Sequence, residues 1–131
     1  MNKVVEALKD VGTFYVATID GDQARVRPFS SVTEFEGKVY LCTGNKKEVY
    51  KQIKANPKIA LSGMNEKGEW LRVTAVAVED ERIEAQEAML ADPTGPSQLY
   101  KAGDGTFTVF KLDDVECMRY SFTSAPEVIE E

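Results

Sequence analysis

Between Val39 and Ile53 the sequence changes from one periodicity to another. Val39 and Leu41 alternate with Tyr40 and Cys42, as a pleated strand requires. Gly44 and Asn45 tolerate the backbone angles of a sharp turn. From there Val49, Tyr50 and Ile53 recur on one helical face, with Lys47, Lys51 and Lys54 on the other. Asn45 followed by Glu48 is a weak capping-box pattern, which predicts a helix over 46–55. Asn56-Pro57 stops that helix. A strand turned sharply into a helix must bury one side of each element against the rest of the chain.

The first helical turn so predicted holds Lys46 and Lys47. Unpaired amides give that end of a helix a partial positive charge, so lysines there are mildly disfavoured. Either both point into water, or an anion reverses the sign and draws amides, dipole and ammonium groups to one phosphate.

The flanking segments read as hairpins. Residues 2–10 form a short amphipathic helix with Val4, Val5 and Leu8 on one side, ended by Gly12. Residues 13–19 are rich in β-formers, and Asp20-Gly21-Asp22 turns them into a return strand over 24–27 that runs into Pro28-Phe29-Ser30. Pro28 cannot donate to a ladder, which predicts an edge, a bulge or an opening at this point. Glu36-Gly37 turns the chain into the strand over 38–43. Further strands are expected over 58–64, 69–79, 106–112 and 115–122, with a helix over 80–91 and an unattached tail over 123–131. In the strand over 69–79, Trp70, Arg72, Thr74, Val76 and Val78 share one face, and Leu71, Val73, Ala75 and Ala77 the other. Six or seven strands in hairpins with two or three helices predict a single domain, mainly β: an antiparallel barrel or sheet with flanking helices.

Charge narrows the function. The net charge of −6 argues against general binding to nucleic acid or to an anionic membrane. The distribution is uneven: residues 1–58 carry 10 basic and 7 acidic residues, and residues 59–131 carry 6 and 15. The positive charge therefore lies with the candidate anion site. No run of 18 apolar residues predicts a membrane span, and the N-terminus lacks the apolar stretch of a signal peptide. Cys42 and Cys117 stand alone in apolar surroundings, which predicts reduced thiols and a cytoplasmic protein.

The absence of histidine removes the usual base of a nucleophilic triad and argues against a zinc or haem site. Neither glycine-rich phosphate-binding signature occurs. What remains is a second basic pair, Arg25 and Arg27, which alternate onto one strand face with Phe29. Arginine forks suit phosphate oxygens, and a polar outer face of a hairpin would look the same. Trp70 beside Arg72 offers a flat apolar surface next to a cation, either bordering an aromatic cofactor or covering the edge of the core.

Arg25-x-Arg27-Pro28-Phe29, then Tyr40-Leu41-Cys42-Thr43 with Lys47, then Lys51-Gln52-Ile53, Asn56-Pro57 and Ile59-Ala60-Leu61 together resemble the flavin-binding split barrel of the pyridoxamine 5′-phosphate oxidase superfamily. The likeness is greatest to its small single-domain branch of general-stress and NimA/NimC-like proteins, and covers residues 3–79 best. It implies a six-stranded antiparallel Greek-key split barrel and a homodimer with FMN at the interface. It further implies an oxidoreductase acting with a small-molecule substrate or reductant. By this resemblance Arg27, Thr43 and Lys47 meet the FMN phosphate, Pro28, Phe29 and Ser30 run along the flavin edge, and Trp70 borders the ring, from the partner chain in one arrangement. Arg25, Lys46 and Arg72 are weaker carry-overs. The C-terminal arginine motif that holds the vitamin substrate in the authentic oxidase is missing, which argues against that activity. The histidine of Nim-type reductases and haem-degrading relatives is missing too. A flavin-binding stress or sensor protein without turnover, a relative using F420, and a cofactor-free dimeric scaffold stand as alternatives.

Overall fold

The structure is a computed structural model describing residues 1–131. Eight strands form one antiparallel sheet: β1 (Phe14–Asp20), β2 (Gln23–Phe29), β3 (Thr33–Phe35), β4 (Lys38–Gly44), β5 (Lys58–Met64), β6 (Trp70–Asp80), β7 (Phe107–Tyr120) and β8 (Glu127–Ile129). The order across the sheet is β2-β1-β5-β6-β7-β4-β3, with β8 on β7. Hairpin neighbours β1 and β2 thus sit at one end, while β4 reaches β7 across the chain. Side chains from β1, β4, β5, β6 and β7 meet in one buried cluster, so the sheet curls around a main core that includes Phe14, Leu41, Leu61, Val73 and Phe110, while a smaller cluster under α3 includes Tyr40, Met89 and Phe107. Three helices, α1 (Lys3–Val11), α2 (Glu48–Ala55) and α3 (Ile83–Ala91), pack on the strands. This is the mainly β barrel expected, with eight strands in place of six. No helix is long and apolar enough to cross a membrane.

The β6 alternation is as read: Leu71, Val73, Ala75 and Ala77 are buried and Arg72, Thr74 and Val78 exposed. Pro28 lies on β2, a strand paired only with β1, where its missing N–H costs no ladder bond. Asn2 caps α1 by accepting from the Val4 and Val5 amides at 2.9 and 3.2 Å. Its amide group also donates to the Gly37 carbonyl and to Glu131, tying three distant segments together.

Four expectations need correction. The two last strands are one continuous β7. Between Thr74 and Val76 of β6 its register slips by one residue, a β-bulge at which Asp114 takes φ 52°. Helix α3 starts at Ile83 rather than Asp80, because Asp80 remains in the ladder opposite Val109. Residues 127–129, read as part of a loose tail, pair with β7 between Cys117 and Arg119. Helix α2 starts at Glu48, not Lys46. The would-be cap Asn45 is engaged elsewhere, its backbone N–H donating to Thr106 and its side-chain amide to Gly105. Lys47 thereby becomes the N-cap, with no side chain bonded to the first amides of the helix.

Candidate functional site

The end of β2, the end of β4 and the start of α2 converge on a cleft of about 190 Å³. Arg27, Pro28, Phe29 and Ser30 line it from β2 and the residue beyond, Thr43 from β4, and Lys47 from the helix cap. Six residues singled out in the sequence are thus brought together. Ser31, Cys42, Val49, Pro96, Leu99 and Tyr100 complete the lining.

Arg27 is held from three sides. It donates from Nη1 to the Val16 carbonyl at 3.2 Å and to the Thr18 hydroxyl at 2.7 Å, and from Nη2 to Gln52 Oε1 at 2.6 Å. Thr18 donates to the same Gln52 oxygen at 2.5 Å, closing a triangle of β1, β2 and α2. A guanidinium carries five N–H donors. Three are used, so two remain, on a group whose orientation is already fixed. Burial lowers the Arg27 pKa, and the charge of Arg25 adds to this. No acidic group acts in the opposite direction.

Lys47 has no acidic partner either. No carboxylate lines the cleft, and the ion pairs of the chain involve neither Arg27 nor Lys47. In a chain of net charge −6 this is a local excess of two positive charges. The uncapped amides of α2 point the same way electrostatically. Thr43, only 6% exposed, adds a hydroxyl at the same end. Cys42 is inert by comparison: burial pushes its thiol up to about 11, although a bond with Ser31 and the charge of Lys47 oppose the rise.

The other candidates lie elsewhere. Arg25 shares the inward strand face with Arg27 but turns to Asp20, at 3.1 Å. Lys46 is exposed in the turn beside the cleft and is not part of its wall. Trp70 and Arg72 stand on the outer face of β6. Trp70 stacks on Tyr120 at 5.9 Å and meets Phe122 at 4.9 Å, while the Arg72 guanidinium lies 4.7 Å from the Tyr120 ring centre.

The sequence reading missed the wall made by residues 96–100. Its placement depends on contacts across some sixty positions. Ser31 Oγ donates to the Thr94 carbonyl at 2.6 Å, and the Val32 amide donates to Thr94 Oγ1 at 3.0 Å. Asp92 accepts from Lys9 and from the Thr33 hydroxyl. Gln86, buried on α3, accepts from the Gly103 amide at 2.8 Å and fixes the far end of the loop. The local sequence of this loop signals only a turn.

Fold and cleft define a split-barrel protein with an anion-ready pocket at a strand–helix junction. The family profile described as pyridoxamine 5′-phosphate oxidase matches residues 1–117, and the chain belongs to that family. Among solved structures it is similar to a NimC/NimA family protein from Clostridium acetobutylicum, at 41% identity and a TM-score of 0.94, covering 98% of this chain and 90% of that one. General Stress Protein 26 from Bacillus anthracis shares the fold at 12% identity and a TM-score of 0.74, covering 97% and 95%. An F420 reductase shares it at 19% and 0.59, covering 82% and 90%. A search of curated proteins gives no match.

Proposed function

We propose that this chain binds FMN in the cleft between β2, β4 and α2 and serves as a flavin-dependent oxidoreductase in the cytoplasm, working as a homodimer. The observation that carries the reading is the pair of cations, Arg27 and Lys47, facing one cleft with no carboxylate to neutralise them. A phosphate monoester supplies the charge they lack, and the donor set fits it. Two guanidinium N–H groups, an ammonium, the Thr43 hydroxyl and the helix amides are all donors. Phe29, Pro28 and Ser30 continue from the phosphate end as an apolar and backbone edge along which a flat ring would lie.

When bound, FMN supplies two-electron redox chemistry that the side chains cannot. The chain's own part is to hold and orient. Gln52 and Thr18 fix the guanidinium, Lys47 neutralises charge, and the 96–100 loop forms one wall of the cleft. No residue is assigned as a general base.

A cleft of about 190 Å³ is smaller than the roughly 300–1,000 Å³ that encloses a cofactor-sized ligand. The remainder of the enclosure would come from a second copy. The sheet face opposite the core supports this, because it is apolar and uncovered. By register Ala24 and Val26 of β2, Tyr15, Ala17 and Ile19 of β1, and Ala60 of β5 share it, and Val26 is 66% exposed. Trp70 and Arg72 project from the same face, so a partner packed there would meet them.

The deciding experiment is spectroscopic. Purified protein should carry a yellow flavin or take up added FMN at micromolar concentration, and NAD(P)H should bleach it. Failure to bind FMN refutes the reading. Binding without reduction by any pyridine nucleotide leaves a flavin carrier and removes the oxidoreductase.

A further inference from the structure

Gly44, the last residue of β4, does not take a left-handed backbone angle. Its lack of a side chain answers a different need. A Cβ at this position would lie 2.6 Å from Tyr100 Oη and 3.3 Å from Tyr100 Cζ. Glycine here makes room for a phenol from a loop more than fifty residues away.

The phenol is placed firmly. Its ring packs on Phe107 with centres 5.2 Å apart, and its backbone amide donates to the Pro96 carbonyl at 3.1 Å. Its hydroxyl differs from those of Tyr40 and Tyr50, and shares with those of Tyr15 and Tyr120 the lack of an acceptor in the chain; of these three, Tyr100 alone lines the cleft. Tyr40 donates to Asp80 at 2.7 Å and Tyr50 to Glu79 at 2.8 Å, whereas Tyr100 meets no acceptor in the chain. No enclosed side-chain polar atom of the protein is left without a partner. The Tyr100 hydroxyl is therefore accessible, on a residue that lines the cleft. Thr43 precedes Gly44 directly, and Lys47 follows three residues later. The wall beside the hydroxyl holds cations and no carboxylate, so the hydroxyl is free to exchange water for an anionic acceptor on a ligand.

We propose that Tyr100 is a ligand-contacting donor of this cleft, and that its hydroxyl helps to select the phosphorylated flavin over the unphosphorylated one. This rests on the FMN reading above. A neutral hydroxyl donating to a charged oxygen is worth enough to change affinity about tenfold. The ring edge, being recognised by Pro28, Phe29 and Ser30, would not sense its loss.

The test compares FMN with riboflavin by fluorescence titration of the wild type, Tyr100→Phe and Gly44→Ala. The phenylalanine variant should raise the FMN dissociation constant about tenfold and leave that of riboflavin within about twofold. Where riboflavin binds too weakly to read, competition of inorganic phosphate against FMN carries the same comparison. Gly44→Ala should give the same selective loss by displacing the hydroxyl, and the double variant should be no worse than Gly44→Ala alone. Unchanged FMN affinity in Tyr100→Phe overturns the proposal and leaves the FMN reading standing. Equal losses for FMN and riboflavin also overturn it, since they assign the residue to packing. A wild type that binds no FMN refutes both readings together.

Discussion

Replacing Asp92 by asparagine should destabilise the protein at neutral pH and cease to matter in acid. The Asp92 side chain is 7% exposed. One oxygen accepts from Lys9 Nζ at 2.7 Å and from the Thr33 hydroxyl at 2.8 Å. The other accepts from the Thr94 amide at 2.9 Å and shares the Thr94 hydroxyl with the Val32 carbonyl. An asparagine amide nitrogen cannot accept. In either orientation it sets an NH₂ against a donor: the Thr94 amide, which is fixed in the backbone, or the Lys9 ammonium, which must then swing to water. Hydrogen bonds to charged groups contribute about 1.5–3 kcal/mol each. Lys9 is 30% exposed and water can take over part of its role, which discounts that bond. The expected loss is about 2–3 kcal/mol. At roughly 2.1 cal/mol/K of unfolding entropy per residue, 131 residues convert this to a fall in Tm of roughly 7–11 °C.

The pH dependence supplies the second half of the test. Burial acts to raise the Asp92 pKa, but bonds from Lys9, the Thr94 amide and the Thr33 and Thr94 hydroxyls outweigh it and hold the carboxyl below the ordinary aspartate value. A carboxylate with a depressed folded pKa stabilises fully above its unfolded value of about 3.9 and loses that contribution as pH falls through the folded one. The gap between wild type and Asp92→Asn should thus be constant from about pH 5 to 8 and close below about pH 4. Urea unfolding at several pH values measures it. A neutral-pH difference under about 1 kcal/mol, or a gap that persists at low pH, refutes the argument.

Val26→Glu should leave the barrel folded, since the side chain is 66% exposed, but should shift sedimentation from dimer to monomer; an unchanged sedimentation coefficient removes this sheet face from the interface. Cys42 and Cys117, both pushed up to about 11 by burial, should react slowly with a thiol reagent near neutral pH and become fully available in denaturant. Rapid native-state labelling of Cys117 would contradict its place in the core.

Much of the fold was legible because it obeys period two. The β6 faces followed from alternation alone, and Pro28 marked an edge because it lacks a donor. The elements misread are those where a distant partner outweighed a local signal. Asn45 has the spacing of a cap, yet residues 105 and 106 claim its hydrogen bonds. The Asp113-Asp114 pair looks like a break, yet a single bulged residue carries the ladder through it. The cleft was half legible for the same reason. Arg27 and Lys47 announce themselves as cations on locally patterned elements. Gln52, which orients Arg27, lies on the helix in plain view, but its partners Thr18 and Arg27 become neighbours only through the pairing of β1 with β2. Tyr100 stood among several tyrosines able to donate a proton, and nothing local set it at the cleft, because its position depends on the space left by Gly44.

The unpaired charge of the cleft leads to one more quantitative expectation. Arg27 and Lys47 line one cleft without acids, while Arg25 adds repulsion on Arg27. Natural chains keep such local destabilisation where a ligand removes it. Ligand bound only to the folded state stabilises by RT ln(1 + [L]/Kd), about 2.7 kcal/mol at a hundredfold excess over Kd. With the conversion above, FMN at that excess should raise the Tm by about 10 °C. Lys47→Ala removes one charged contact and should weaken FMN about tenfold. The same FMN concentration is then only tenfold above Kd, and the rise should shrink to about 5 °C. Without ligand, the variant should melt at or slightly above the wild-type temperature, because Lys47 has no ion partner to lose. A variant that melts lower without ligand, yet gains the full 10 °C from FMN, would show that Lys47 serves the fold and not the anion.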